Sequence, residues 1–549
     1  MPAALLAALA ALLLLPGLGS THLVGEDEAR YADTARNMVR SGNWTVPRFN
    51  GQLRAQKPIL IYWLLGGAYK LFGANEFSAR LCPALTGVLL ALTTFLFAAP
   101  HLGGRTALVA GIFLAVCPAM FTWGRMAVTD MPLALFVSFG ILAAFHATES
   151  SAAAKARWHC AAAAALALGT LMKGPVAPLI ALMVMIPYLL LRRGLRAELR
   201  AGGLVPAVLI FLAIAAPWYL IVTLRTRGEF AEQFFLAENI LRYFRASTWQ
   251  RGPLYLYLPV CLVVFLPWSG LLPYALWRGF RTRRRASQDS GHRLRLLSTL
   301  WFAVVFLFFT FSQAKLISYV LPLAPAAAIL VAIQWEEWRR GLAGRFGFYA
   351  STAFAALLLA AVAAFLFNLP GALRLAQQHV FSGLPTPDFA GAHYVAGGGL
   401  ALSLLAWALL CLLRRADLVP WALAGGMGLT AIAMTGPMLR AMDRAWQAPL
   451  SRAAQQAGQM APPQARLAVT GLELPSLVVY YGKRRVYGLR DLEQLGLRGP
   501  RQELWIVAPL RIQAQLRDHL GAELTISEPP YGVYIARPSN RVRGASRPD

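Results

Sequence analysis

Acidic side chains are scarce in this 549-residue chain, 25 in all against 52 lysines and arginines, so three in a row, Glu26-Asp27-Glu28, call for a reason. They open a segment, Glu26 to Arg40, that contains no Pro or Gly and stops at Ser41-Gly42, the pattern of a short helix. The positive end of the helix dipole stabilises carboxylates there, and capping alone would account for them. At helical spacing Asp27 shares a face with Arg30 and Tyr31, while Glu28 faces Ala32. One carboxylate could thus point at a cleft while its neighbour is held by structure, and both are candidate catalytic groups.

Cations recur at comparable places. Lys57 stands in Gln56-Lys57-Pro58, Lys173 in Lys173-Gly174-Pro175, and Lys315 in Ser312 to Tyr319; Arg242 and Arg245 follow Phe234-Phe235 and Glu238-Asn239. A further acid, Asp130, ends Gly124 to Asp130 at the start of an apolar run. Each has a plain reading: lysines at a membrane surface snorkel, and Thr129-Asp130 can cap a helix. Together they place Asp27, Asp130, Lys57, Lys173, Arg242 and Lys315 on one membrane face. Cations retained there point to an anionic ligand, because charges near hydrocarbon are costly.

The elements that must position these groups are membrane spans. Residues are 57% hydrophobic and 14% charged, and the apolar ones run in unbroken stretches. Stretches long enough to cross a bilayer lie near 3-20, 77-98, 107-122, 131-147, 160-174, 176-191, 204-222, 254-277, 297-312, 317-334, 347-367, 394-413 and 419-436. The first lacks a basic flank before it and is read as a retained span rather than a signal peptide. The net charge of +27 is concentrated in linkers such as Arg192 to Arg200 and Arg278 to Arg295, which the positive-inside rule makes cytoplasmic. Thirteen spans then put the N-terminus inside, the candidate site and the C-terminus outside. Nothing resembles a nucleic-acid module.

Two external loops, 21-76 and 223-253, are too long to be connectors only. The first holds the helix at Glu26 to Arg40, whose apolar face is Tyr31, Ala35, Met38 and Val39, and a second apolar piece, Pro58 to Phe72. Both are read as lying along the membrane surface. The transmembrane part is taken as 1-436. From 437 to 538, short β-rich runs (466-470, 476-481, 503-508, 524-527, 532-536) alternate with helical ones (443-459, 509-520), as in a small external α/β domain; 539-549 reads as a disordered tail. The five cysteines, Cys82, Cys117, Cys160, Cys261 and Cys411, read as buried hydrophobes rather than disulfides or metal ligands. No internal repeat suggests a transporter with inverted halves.

The motifs resemble those of the integral-membrane glycosyltransferases of the GT-C class, most closely the lipid A aminoarabinose transferases and the protein O-mannosyltransferase-like families. The likeness rests on Asp27 to Ala32, Ser41 to Trp44, Lys57-Pro58, Tyr62-Trp63, Asn75 to Leu81, Thr129-Asp130, Lys173-Gly174, Pro217 to Tyr219, Phe234-Phe235 and Ser312 to Pro322, in family order over roughly 20-325. The resemblance implies a thirteen-span fold with a periplasmic α/β domain in the bacterial inner membrane. It implies an undecaprenyl-phosphate-linked sugar as donor and, usually, lipid A as acceptor. It makes Asp27 the essential carboxylate, Asp130 a supporting acid and Lys57 a donor-phosphate ligand. Arg242, Lys315, Lys173 and Tyr319 are grouped with Lys57. Two positions depart from the aminoarabinose pattern: Gln56 stands where Glu is common, and Asn239 where His is. Metal dependence stays open; no ligand cluster is visible, though carboxylates such as Asp27 could hold a divalent cation. A flippase of lipid-linked sugars would instead place acids at mid-membrane.

Overall fold

The computed structural model describes residues 1–200, 203–241, 251–342, 344–379, 384–470, 478–480, 486–488 and 503–536. Nine helices follow in the first third: α1 (Pro2–Leu14), α2 (Gly25–Ser41), α3 (Leu60–Phe72), α4 (Glu76–Leu102), α5 (Gly104–Val116), α6 (Pro118–Trp123), α7 (Asp130–Thr148), α8 (Ala152–Lys173) and α9 (Val176–Leu191). Among the described residues eight helices are long and apolar enough to cross a membrane: α4, α7, Leu204–Arg225, Ser290–Phe311, Ile317–Arg339, Tyr349–Phe367, Ala392–Leu412 and Val419–Met460. Each matches one of the thirteen stretches expected. The other five are α1, α5 with α6, α8, α9, and one that departs from expectation. The stretch 254–277 is no single span: it breaks into Leu254–Val264 and Leu272–Arg281, with Pro267 between them at a point where a proline cannot continue a helix.

Val419–Met460 is 42 residues long, about 63 Å at helical rise and roughly twice a bilayer's hydrocarbon thickness. It passes through π-helical turns at Met434–Met438 and Asp443–Gln447 and leads straight into a five-stranded sheet. The expected boundary at 437 therefore falls inside a continuous helix. The sheet holds β3 (Arg466–Val469), β4 (Val486–Gly488), β5 (Leu504–Pro509), β6 (Glu523–Glu528) and β7 (Tyr531–Ala536), in the order β4-β3-β5-β7-β6. β3 runs parallel to β4 and β5; β7 runs antiparallel to β5 and β6. β4 was not expected from the sequence, and most of the strand expected at 476–481 lies outside the described residues, as does the tail 539–549. The described part of that strand, 478–480, is helical.

Helices pack where small residues let backbones approach, the usual device when lipid removes the hydrophobic drive between helices. Gly399 and Ser403 on Ala392–Leu412 face Gly426 and Thr430 on Val419–Met460, and Thr430 Oγ1 donates to Ala396 O at 3.0 Å. A Cβ on Gly426 would stand 2.6 Å from Gly399 O. Gly426→Leu is expected to destabilise the protein by about 1–3 kcal/mol, the usual range for overpacking, read as a lower thermal midpoint in detergent.

Candidate active site

The loop between α1 and α4 is organised by its own turns. Gly42, at φ 71°, ends α2 in a left-handed cap. Asn43 Oδ1 accepts from Thr45 N and Val46 N, turning the chain into a hairpin, β1 (Arg48–Phe49) and β2 (Gln52–Leu53). Its two-residue turn, Asn50-Gly51, has φ 50° and 81°, the sign a tight hairpin needs. The hairpin returns the chain to the bundle at Arg54 and Lys57, just before α3. Tyr31 and Met38 of α2, and Tyr62 of α3, are buried within the protein, and the sheet domain covers the loop. His22 pairs with Asp443, Arg36 donates to Val479 O, and Asn50 exchanges two hydrogen bonds with the backbone of Val486 on edge strand β4.

Asp130 is the first residue of α7. Its Oδ1 accepts from Lys173 Nζ at 2.8 Å, the Ser318 side chain donates to it, and Lys57 lies within its field. Lys173 Nζ is also 5.1 Å from the centre of the Tyr319 ring. Lys57, Asp130, Lys173 and Tyr319 line one cavity of about 370 Å³ with Gln56, Glu238, Ser312 and Ser318. The rest of its wall is apolar: Leu133, Val176, Leu179, Phe234, Phe308, Phe309 and Pro322. Its volume suits a small-molecule site.

Asp27 is exposed on α2 and is not part of that lining. It is linked to the cavity through Tyr31, whose hydroxyl feels both Asp27 and Asp130. Burial, then Asp27, pushes the Tyr31 pKa well above its ordinary value, so that this hydroxyl stays neutral.

Glu28 needs correction as a catalytic candidate. It is 2% exposed, and both oxygens are engaged: Oε1 accepts from Arg80 Nε at 2.9 Å and from Ala127 N at 2.7 Å; Oε2 accepts from Arg80 Nη2 and Val24 N, each at 2.9 Å. Burial would raise its pKa, but the Arg80 guanidinium and the two backbone N–H groups outweigh that and hold it below the ordinary value. Lys315 is displaced too. Its ammonium donates to Thr310 O at 2.6 Å and Ser312 O at 2.9 Å, and it does not line the cavity; burial lowers its pKa. Those carbonyls end a span, where backbone acceptors lack helical partners. Arg242 and Arg245 lie outside the described residues. Arg54 and Ser318 were not singled out in the sequence. Arg54 could have been, as another cation on the same loop three residues before Lys57. Among the described residues no group of three or more His, Cys, Asp or Glu is placed to hold a metal.

A model of the dolichyl-phosphate-mannose-protein mannosyltransferase family matches residues 56–221. The chain is 33% identical to the undecaprenyl phosphate-alpha-4-amino-4-deoxy-L-arabinose arabinosyl transferase of Aeromonas hydrophila over 58% of its own length and 57% of the relative's. It is 31% identical to the enzyme of the same name from Aeromonas salmonicida over 75% of its own length and 74% of the relative's. The chain belongs to this arabinosyl transferase family. Its fold is that of ArnT from Cupriavidus metallidurans in the apo state, with TM-score 0.77, 26% identity and 97% of each chain covered. That whole-length likeness bears out the expected GT-C fold, although the count of thirteen spans is not fixed by it. The alignment with the first of these relatives takes in just over half of that relative's length.

Two neighbouring carboxylates in this arabinosyl transferase relative should behave oppositely. Glu28→Ala strands the Arg80 charge and is expected to cost about 3–5 kcal/mol, seen as a lower thermal midpoint and yield. The Glu28 contribution is full above the ordinary carboxylate pKa and fades as pH falls through the lowered one. Asp27→Asn, on an exposed site, should leave the stability within about 0.5 kcal/mol of the parent, with the thermal midpoint essentially unmoved.

Proposed function

We propose that this protein transfers a sugar, 4-amino-4-deoxy-L-arabinose in the first instance, from an undecaprenyl phosphate carrier to lipid A or a related envelope acceptor. The reaction is assigned to the periplasmic face of the bacterial inner membrane. The observation that carries this reading is the mixed lining of the cavity, where Lys57, Lys173 and Tyr319 share the wall with aliphatic and phenyl side chains. A polyprenyl phosphate combines the same two chemistries, an anion on a hydrocarbon chain. Membership of the family supplies the sugar and the carrier.

In this reading the acceptor attacks the anomeric carbon with inversion. The bond from that carbon to the phosphate oxygen breaks, and its electron pair leaves with polyprenyl phosphate. Lys57 stabilises the leaving anion from a fixed position. Lys173 is shared between Asp130 and the Tyr319 face, so Asp130 holds this second ammonium in place. Asp27 takes the proton when the acceptor is a hydroxyl. With an ionised phosphate acceptor it orients the acceptor or the sugar amine instead.

One observation favours a second reading, a protein O-mannosyltransferase-like or other envelope-glycan transferase. Gln56 lines the cavity beside Lys57 and brings no carboxylate to meet an amino sugar.

In proteoliposomes supplied with donor and acceptor, Asp27→Asn should lower kcat by about 10²-fold or more, in line with loss of an acid-base group. Full transfer by that variant would remove Asp27 from the mechanism. Mass spectrometry of a deletion strain separates the readings: lipid A losing its amino sugar supports the first, and unchanged lipid A with truncated envelope glycans supports the second.

A further inference from the structure

Arg54 follows β2 and is only 5% exposed. Its Nε donates to Tyr62 Oη at 2.8 Å, and its guanidinium lies 5.1 Å from the centre of the Tyr31 ring and 5.9 Å from that of Phe49. Arg80, equally buried, is answered in full by Glu28 and backbone carbonyls. Arg54 is not: among the described residues no carboxylate pairs with it. Among the described residues its Nη1 and Nη2 make no hydrogen bond, and neither is fully enclosed. Asp27 is within its field but beyond ion-pair distance. A guanidinium stays charged at any physiological pH, so a buried one without a counter-ion is costly unless something supplies the anion.

The position is also informative. Arg54 does not line the cavity that holds Lys57 and Lys173, and stands on the Asp27 and Tyr31 side. Its two free nitrogens form the fork that matches a phosphate bidentately, and the aromatic faces fix its plane. We propose that Arg54 forms a second anion subsite, apart from the lysine-lined cavity, that binds a phosphate oxyanion of a lipid substrate. This rests on the glycosyl-transfer reading above. The phosphate belongs either to the acceptor lipid or to the carrier, and the two sources are separable.

The test uses the full chain in detergent and in proteoliposomes, as the parent, Arg54→Gln and Arg54→Lys. Direct binding of undecaprenyl phosphate reports the carrier; steady-state transfer to phosphorylated and to dephosphorylated lipid A reports the acceptor. The expected result is a rise of about tenfold or more in KM for phosphorylated acceptor with Arg54→Gln, the scale of a lost charge-assisted hydrogen bond. Carrier affinity should stay within about twofold, and Arg54→Lys, which keeps the charge but not the planar fork, should recover only part of the loss. A fall in carrier affinity with acceptor KM unchanged keeps the subsite and assigns its phosphate to the donor. Arg54→Gln matching the parent in both measurements overturns the proposal. So does an equal loss on phosphorylated and dephosphorylated acceptors together with a lowered thermal midpoint, the mark of a merely structural arginine. A parent protein that transfers to no acceptor ends the transfer reading, and carrier binding alone then decides for or against Arg54.

Discussion

A carboxylate and a guanidinium withdrawn from water must answer each other completely, and Glu28 with Arg80 does so by drawing in the chain around them. Arg80 donates to the carbonyls of Leu18, Thr21 and His22, while Glu28 accepts from the amides of Val24 and Ala127. One ion pair therefore gathers the segment that follows the first helix, the start of α2, the first turns of α4 and the segment just before α7. Asp27 is the neighbour of Glu28, and Asp130 follows Ala127 by three residues. Both acids come within the field of the Tyr31 hydroxyl. Arg80 is itself set by the capping box of Asn75 and Ser78 that begins α4.

Around this clamp the loop is held from both sides. On one side the loop buries its own Tyr31, Met38 and Tyr62 against the bundle; on the other it is held by the long helix, through His22 with Asp443, and by the sheet domain, through Arg36 with Val479 and Asn50 with Val486. Trp63 Nε1 donates to Trp44 O and Trp218 Nε1 to Thr45 O, pinning the middle of the loop to two further helices. A segment with only two short strands and two helices would otherwise be poorly ordered. Here it gains its shape from polar contacts that leave few of its backbone groups to choose freely.

Much of this was legible in the sequence because the relevant signals are local. The helix from Glu26 to Ser41 announces its end through Gly42, and the apolar spans announce themselves by length. Lys57 stands out just before the second helix of the first long loop and Lys173 at a turn between spans, and the structure brings them to one cavity with Asp130 and Tyr319. What escaped was long-range. Nothing local tells that Glu28 will meet an arginine 52 residues later. The covering of the loop by the sheet domain depends on pairings more than 400 residues apart, such as His22 with Asp443. The break at Pro267 was hidden because hydropathy registers composition, not whether a helix persists. Arg54 was overlooked because arginines are numerous, and only its surroundings show that it has no carboxylate of its own.

The helix from Val419 to Met460 ties these layers together in a further way. Because it runs on past its apolar stretch, the apolar half and the half that carries Asp443 and Gln447 belong to one continuous element. Over about 60 Å, a tilt of roughly one degree at one end displaces the other by about 1 Å. Spans adjust their tilt to the thickness of the surrounding bilayer. A change of tilt in the apolar arm is thus passed toward Asp443 and Gln447, which hold His22 and Leu23 at the start of the loop that carries Asp27.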